Sequence, residues 1–298
     1  MLRSIFRRLT FGRAELGTPT IWGNLRIHRF HSRVFRHTRF VRVWLPPGFD
    51  ERASQRYPVL YLNDGQNLFD PATAFAGVHW QVGETATRLL AENRIPPLVI
   101  VGIDNTGKNR VREYIPYRSR DPKLPHPLGA HYPEFLQGEL MPLIERQYPI
   151  LNGADNTGLG GSSLGGLITL YTAMLAPDVF GKVLIESPSL FVADRRILEQ
   201  SRVRDHWPSR IYLGIGTREV GSPEKDARTV ADVRELAAIL TNAGLDEKRL
   251  RVRIEEGAPH SESAWAARFP EALEFLYGGT AVRESSNHSA GGVATIGP

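Results

Sequence analysis

Cysteine is absent from this chain of 298 residues. Its absence excludes a disulfide framework, a zinc site built on thiolates and a cysteine nucleophile. Long apolar runs are absent as well, since the longest, around residues 57–62 and 97–103, fall far short of the roughly 20 residues that cross a bilayer. The sequence therefore predicts a soluble protein with no membrane span, and its apolar share of 41% is ordinary for one large globular domain.

Acidic residues are scarce at the N-terminus, where residues 1–42 contain ten arginines and a single acid, Glu15. The net charge of +5 is therefore a property of this end of the chain. Residues 1–13 lack an apolar core of the length that a secretory signal requires, so we interpret residues 1–17 as a basic tail. Docking of this tail on an anionic surface is an alternative, but no nucleic-acid-binding motif follows it. We expect a cytoplasmic protein with no nucleic-acid partner.

The remainder of the chain alternates between strand-like and helix-like segments. Short apolar runs that end at Gly, Pro, Asn or Asp indicate strands, and apolar residues at helical spacing indicate helices. The predicted strands cover residues 39–45, 57–62, 97–103, 182–187, 210–216 and 251–256, and the predicted helices cover residues 81–92, 132–148, 164–176, 229–243 and 263–277. This order predicts one α/β domain over residues 18–278, with a mostly parallel sheet covered by helices on both faces. Residues 279–298 show no periodicity, and we predict that they form a disordered tail.

Residues 161–165 read Gly-Ser-Ser-Leu-Gly and match the pattern G-x-S-x-G. A serine on a tight turn between a strand and a helix needs neighbours without bulk, and Gly161 and Gly165 meet this requirement. The pattern alone is weak evidence. A helix-compatible apolar segment follows it at once, whereas the preceding strand, residues 157–160, is poorly marked. We predict that Ser163 is a nucleophile.

A serine hydroxyl is a weak nucleophile and requires a general base, which in turn requires an orienting carboxylate. On a turn of this kind both partners follow the serine along the chain, first the acid and then the histidine. His260 comes directly after a predicted strand and before the last helix, at the edge of the sheet where Ser163 is expected. His206, ahead of a strand, and His288, in the tail, lack this position. We predict that His260 is the base.

The acid has two candidates. Glu219 follows the predicted strand 210–216 closely, where a loop would present it at the same edge of the sheet. Asp226 lies in the same irregular stretch and is the alternative. We predict that Glu219 orients His260.

An oxyanion needs two backbone N–H donors, one from the residue after the nucleophile and one from a loop after an earlier strand. Leu164 provides the first. The second is expected from the loop at residues 63–67, where Gly65 permits a sharp turn and Gln66 is the favoured donor. We assign no role to Asp64 in this loop, because turn chemistry alone explains it.

Six segments carry a resemblance to a known family, at residues 61–70, 101–105, 112–114, 161–165, 216–219 and 260–265. Together they resemble the esterase family of α/β-hydrolases that includes enterochelin esterases, feruloyl and acetyl-xylan esterases, and S-formylglutathione hydrolase. The resemblance spans about residues 20–278 and implies the α/β-hydrolase fold. It also implies a triad of Ser163, Glu219 and His260, an oxyanion hole near Gln66 and Leu164, and no metal or organic cofactor. Many members carry Asp where this chain has Glu219.

The sequence therefore predicts a serine carboxylic-ester hydrolase that acts on a small-molecule ester through an acyl-enzyme. The same residues would serve a thioesterase or an acyltransferase. A binding protein that kept the fold without turnover is a further alternative, against which the intact set of Ser163, Glu219 and His260 argues. The natural ester and the oligomeric state stay open.

Overall fold

The computed structural model describes residues 24–51, 54–118 and 126–279. The predicted basic tail at residues 1–17, and all but the first residue of the predicted tail at 279–298, lie outside the described residues. In the described ranges, no helix is both long enough and apolar enough to span a bilayer.

One mixed sheet organises the described residues and contains eight strands in the order β1-β2-β4-β3-β5-β6-β7-β8. The strands are β1 (Asn24–His31), β2 (Thr38–Leu45), β3 (Val59–Asn63), β4 (Val99–Ile103), β5 (Thr157–Ser162), β6 (Lys182–Glu186), β7 (Arg210–Arg218) and β8 (Leu250–Pro259). β2 is antiparallel to both β1 and β4, whereas every other neighbouring pair is parallel. The mostly parallel sheet predicted from the sequence is confirmed.

Helices connect the parallel strands, as the crossover between two such strands requires. They are α1 (Val82–Ala91), α2 (Arg110–Tyr114), α3 (Tyr132–Phe135), α4 (Met141–Gln147), α5 (Leu164–Leu175), α6 (Val192–Arg202), α7 (Pro223–Asn242) and α8 (Glu262–Tyr277). A π-helical segment at Leu136–Leu140 joins α3 to α4, so the single helix predicted over residues 132–148 is present with one irregular stretch.

The helices cover both faces of the sheet. Successive side chains of a strand point to opposite faces, which separates the neighbours of β3 into two groups. Leu60 belongs to a core cluster with Ala86 of α1 and Phe269 of α8. Tyr61 belongs to a different cluster, with Ile168 of α5. Both clusters are predominantly apolar layers between helix and sheet, as predicted for this fold class.

Two longer elements, β1 and α6, are not among the predicted ones. β1 is an edge strand in which Leu25 and Phe30 are buried on opposite faces of the sheet, whereas Arg29 and His31 are exposed. Five of the eleven residues of α6 are charged, and the helix buries few apolar side chains. Elements with so few or so irregularly spaced buried residues leave a weak periodic signal in the sequence.

The glycines of β5 explain why this strand is poorly marked in the sequence. A Cβ atom on Gly160 would lie 2.8 Å from the Cβ of Leu184 and 2.8 Å from a methyl carbon of Leu62. Neighbouring side chains thus occupy the space where a β-branched residue would otherwise project. Close approach of this kind is a recognised reason for glycine inside a strand.

Candidate active site

Ser163 lies between the end of β5 and the start of α5 in a strained backbone conformation, with φ 58° and ψ −124°. Positive φ is unfavourable for a residue with a side chain and persists only where the surroundings enforce it. Three backbone hydrogen bonds do so. The Ser163 N–H donates to the carbonyl of Glu186 at 3.0 Å, and its carbonyl accepts from the N–H groups of Leu167 at 3.0 Å and Ser189 at 3.1 Å. This is the turn that the G-x-S-x-G pattern predicts.

The structure leaves little room for a side chain at either glycine of the pattern. A Cβ atom on Gly161 would lie 2.9 Å from the backbone of Gly165. A Cβ atom on Gly165 would lie 3.1 Å from the Oδ2 atom of Asp64. The turn therefore packs directly against the loop that follows β3.

Glu219 and His260 are hydrogen-bonded, with Nδ1 of the imidazole donating to Oε2 of the carboxylate. β7 ends at Arg218 and β8 ends at Pro259, and because these strands are parallel neighbours their following residues meet at one edge of the sheet. An ionised carboxylate can only accept, so the contact places the imidazole proton on Nδ1 and leaves Nε2 as an acceptor. The side chain of Glu219 is 3% exposed and that of His260 is 33% exposed.

Two further donors hold the other oxygen of Glu219. Oε1 accepts from the hydroxyl of Ser187 at 2.7 Å and from the backbone N–H of Gly216 at 2.7 Å. Burial alone would raise the pKa of Glu219, but the hydrogen bonds from His260, Ser187 and Gly216 outweigh it and hold this pKa below its usual value. The carboxylate beside His260 is therefore stabilised in its charged form.

Asp226, the alternative acid, has a different environment. It lies in the first turn of α7, where its Oδ1 atom accepts from the backbone N–H of Val220 at 2.6 Å. The structure thus brings Glu219, and not Asp226, against His260. In the described part of the chain no hydrogen bond joins the Ser163 hydroxyl to His260.

The two predicted oxyanion donors lie at the same edge of the sheet. Gln66 is in a short 3-10 turn after β3, Gly65–Asn67, and Leu164 is the first residue of α5. β3 and β5 are parallel neighbours, so the segments that follow them are adjacent. Backbone N–H groups in the first turn of a helix have no acceptor within that helix. The side chain of Gln66 is anchored separately, since its Oε1 atom accepts from the backbone N–H of Asn105 at 3.1 Å.

Arg110 is a site residue that the sequence analysis misses. Its Nε and Nη2 atoms donate to the two carboxylate oxygens of Asp64 at 2.8 Å and 2.7 Å, and Asn105 donates to the same carboxylate at 2.7 Å. Burial lowers the pKa of Arg110, but the contacts with Asp64 outweigh it and keep this side chain protonated. Asp64 therefore does more than form a turn: it holds a cation beside Gly165. No local pattern marks Arg110, because only the fold brings α2 against the β3 loop.

The model of the family described as "Putative esterase" matches residues 32–276 of this chain. The chain belongs to this esterase family. An uncharacterised protein of Bacillus subtilis, YbbA, is 26% identical over 86% of this chain and 97% of its own length. The iron(III) salmochelin esterase of Escherichia coli O6:H1 is 31% identical over 81% of this chain and 55% of its own length. The crystal structure of the BES protein from Bacillus cereus superposes with a TM-score of 0.68 at 21% identity, over 87% of this chain and 97% of that one.

These comparisons confirm the predicted family and the α/β-hydrolase fold, and family membership makes the chain a carboxylic ester hydrolase by class. The chain spans about half the length of the salmochelin esterase that it matches. The roles of individual residues stay predictions.

A buried ion pair completes the site of this esterase. Glu186, at the end of β6, is fully buried, and its Oε2 atom accepts from Nε and Nη2 of Arg268 at 2.9 Å and 2.8 Å. Arg268 also donates to Glu255 at 2.8 Å. Burial raises the pKa of Glu186 to about 7, although Arg268 opposes the shift. Because the carbonyl of Glu186 also holds Ser163, this pair lies within the framework of the strained turn.

Proposed function

We propose that this chain hydrolyses carboxylic esters through an acyl-enzyme formed on Ser163, with His260 as general base and Glu219 as the orienting acid. The observation that carries the proposal is the hydrogen bond from Nδ1 of His260 to Glu219, at the sheet edge where Ser163 occupies its strained turn. A base oriented by a carboxylate and a nucleophile on a tight turn are the parts that acyl transfer requires.

In the first half of the reaction Nε2 of His260 accepts the proton of the Ser163 hydroxyl as its oxygen attacks the ester carbonyl. The negative charge that develops on the carbonyl oxygen is held by the N–H groups of Leu164 and Gln66. Asp64, held by Arg110, packs against the serine turn at the same edge. His260 then protonates the departing alcohol, and the acyl group stays on Ser163.

In the second half His260 removes a proton from water, whose oxygen attacks the acyl-enzyme, and then returns this proton to the Ser163 oxygen as the acid leaves. No residue of this cycle needs a metal or an organic cofactor. With a thiol in place of the departing alcohol, the same cycle would make the chain a thioesterase. With a second alcohol in place of the attacking water, it would make the chain an acyltransferase. The salmochelin esterase among its relatives favours an oxygen ester as substrate. A small-molecule ester as partner and a cytoplasmic location remain predictions from the sequence.

The test compares two adjacent serines. Ser163→Ala and Ser162→Ala remove the same atom, but Ser162 is the buried last residue of β5 and has no role in the proposal. Hydrolysis of p-nitrophenyl acetate, butyrate and octanoate is measured for the wild type and both variants, together with labelling by a fluorophosphonate.

We expect Ser163→Ala to lose on the order of 10⁴-fold or more in kcat and to lose labelling, as removal of a triad nucleophile does. Ser162→Ala should keep both. Equal rates in the wild type and Ser163→Ala, with labelling retained, would contradict the proposal and show that another residue is the nucleophile. A wild type with neither turnover nor labelling would favour a binding protein that kept the fold.

A further inference from the structure

Trp265, in the first turn of α8, contacts His260 directly and is linked to Glu219 through Ser187. Its ring meets the imidazole of His260 edge to face, with centroids 4.9 Å apart and planes at 86°. Its Nε1 atom donates to the hydroxyl oxygen of Ser187 at 3.0 Å. That hydroxyl donates in turn to Oε1 of Glu219 at 2.7 Å. A continuous chain of hydrogen bonds thus runs from the indole through Ser187 and Glu219 to His260.

The donors in this chain have fixed directions. An indole N–H can only donate, so the oxygen of Ser187 must accept from Trp265. The single hydrogen of the Ser187 hydroxyl is then directed to Glu219, which can only accept while it is ionised. Reversal of the chain would leave a buried indole N–H without a partner, which costs more than an ordinary hydrogen bond contributes.

The backbone of Ser187 is also fixed by its surroundings. Ser187 is 3% exposed and has a positive φ of 42°. Its N–H donates to the carbonyl of Gly214 at 2.8 Å, which ties the residue to β7. A non-glycine residue in this conformation stores strain, and such strain is found where the surroundings impose a particular side-chain position.

We propose that Trp265 and Ser187 are positioning residues, which fix the orientation of the Glu219 carboxylate and of the His260 imidazole for catalysis. This inference rests on the proposed function, because it assigns the two residues a task within the same triad. Neither side chain forms or breaks a bond in the proposed cycle. Their effect is expected in the rate of the chemical step and not in substrate binding.

Trp80 provides an internal comparison. It is 2% exposed and packs on Trp265, with centroids 5.7 Å apart, and on Phe269, with centroids 6.2 Å apart. Among the described contacts its ring meets neither Ser187, Glu219 nor His260. If both tryptophans had only a structural role, replacing either one by phenylalanine would change kcat to the same extent.

The experiment measures kcat and KM with p-nitrophenyl acetate for Ser187→Ala, Trp265→Phe, the double variant and Trp80→Phe. Thermal unfolding of each variant is followed in parallel. Trp265→Phe keeps an aromatic ring against His260 and removes only the N–H donor. Ser187→Gly is a second variant for position 187, since glycine accepts a positive φ without strain.

We expect Ser187→Ala and Trp265→Phe each to lower kcat about tenfold, the usual consequence of losing one hydrogen bond in a chain that ends on a charged group, with KM within about twofold. Because Trp265 acts through Ser187, Trp265→Phe should have almost no further effect in the Ser187→Ala background. Trp80→Phe should lower the unfolding temperature and leave kcat unchanged.

Wild-type kcat in folded Ser187→Ala or Ser187→Gly would overturn the inference. So would losses that multiply independently in the double variant, or a loss in Trp80→Phe equal to that in Trp265→Phe. The Ser163→Ala variant distinguishes a failure of this inference from a failure of the proposed function on which it rests. Full activity in Ser163→Ala removes the proposed function, whereas an inactive Ser163→Ala beside a fully active Ser187→Ala removes only the positioning role.

Discussion

Arg110 donates two hydrogen bonds to the carboxylate of Asp64, at 2.8 Å and 2.7 Å. A two-point contact of this kind fixes the plane of the guanidinium as well as its position. Asp64 is in turn packed against Gly165, two residues after Ser163. The carboxylate that packs against the serine turn is therefore held in place before any substrate arrives.

The first prediction concerns this ion pair. Arg110→Gln should lower kcat/KM about tenfold, because Asp64, which packs against Gly165 of the serine turn, loses its two-point charged partner. Arg112→Gln is the matched control on the same helix, where the side chain donates to the carbonyl of His126 and, among the described residues, to no other group. Steady-state kinetics with p-nitrophenyl acetate check both variants. Equal effects of the two substitutions would show that Arg110 contributes only to the overall charge.

The second prediction separates the two candidate acids. Glu219→Gln should lower kcat about 10³- to 10⁴-fold with little change in KM, because an amide no longer stabilises the imidazolium and can favour the wrong tautomer of His260. Asp226→Asn changes a group that contacts Val220 and should leave kcat within about threefold of the wild type. Kinetics of both variants decide the assignment. A larger loss in Asp226→Asn than in Glu219→Gln would reverse it.

The third prediction is a pH dependence of stability that originates at Glu186. Burial raises the pKa of this residue in the folded chain to about 7, above its usual value of 4.5. Between these values the folded state holds a proton that the unfolded state releases, so the contribution to stability is complete below pH 4.5 and is lost as the pH rises to about 7.

Urea unfolding of the wild type and of Glu186→Gln across this interval tests the prediction. The free energy of unfolding of the wild type, minus that of the variant, should decrease as the pH rises. The amide of the variant can still accept from Arg268 but does not titrate, which makes it the matched reference. A difference that is flat or increases with pH would show that Glu186 is ionised throughout.

The fourth prediction concerns the glycines of the central strand. Gly160→Ala should destabilise the fold by about 1–3 kcal/mol, because the new methyl group would meet Leu184 and Leu62 at 2.8 Å inside a closed core. Gly138→Ala adds the same atom at a position with no heavy atom within 4 Å, in an exposed helical turn. There we expect a gain of about 0.5–1 kcal/mol. Urea unfolding checks both, and similar effects at the two positions would contradict the packing argument.

Local signals were sufficient for most of the sheet and for the three triad candidates. Ser163, Glu219 and His260 each follow a strand closely, and the carboxyl ends of parallel strands meet at one edge. A reader of the sequence can therefore place them together without knowing the strand order. The same reasoning places Gln66 near Leu164.

Other parts of the site gave no local signal. Arg110, Ser187 and Trp265 lie on segments far apart along the chain, and although Trp265 belongs to one of the segments that carry the family resemblance, nothing local assigns any of the three a role in the site. Ser187 meets Trp265 across 78 positions and Glu219 across 32. Contacts of this range depend on the register of β6 against β7 and on where α8 packs, and neither can be read from periodicity.

The sequence by itself determined the fold class, the order of most strands and helices along the chain, and the residue types available for acyl transfer, because these depend on periodicity and on short motifs. The tertiary structure alone decided which acid meets His260, that Arg110 lies beside the serine turn, and that Glu186 is buried with Arg268. The physical reason is that hydrogen bonds, burial and pKa depend on distances of a few ångströms between segments that the sequence separates, and only packing sets those distances.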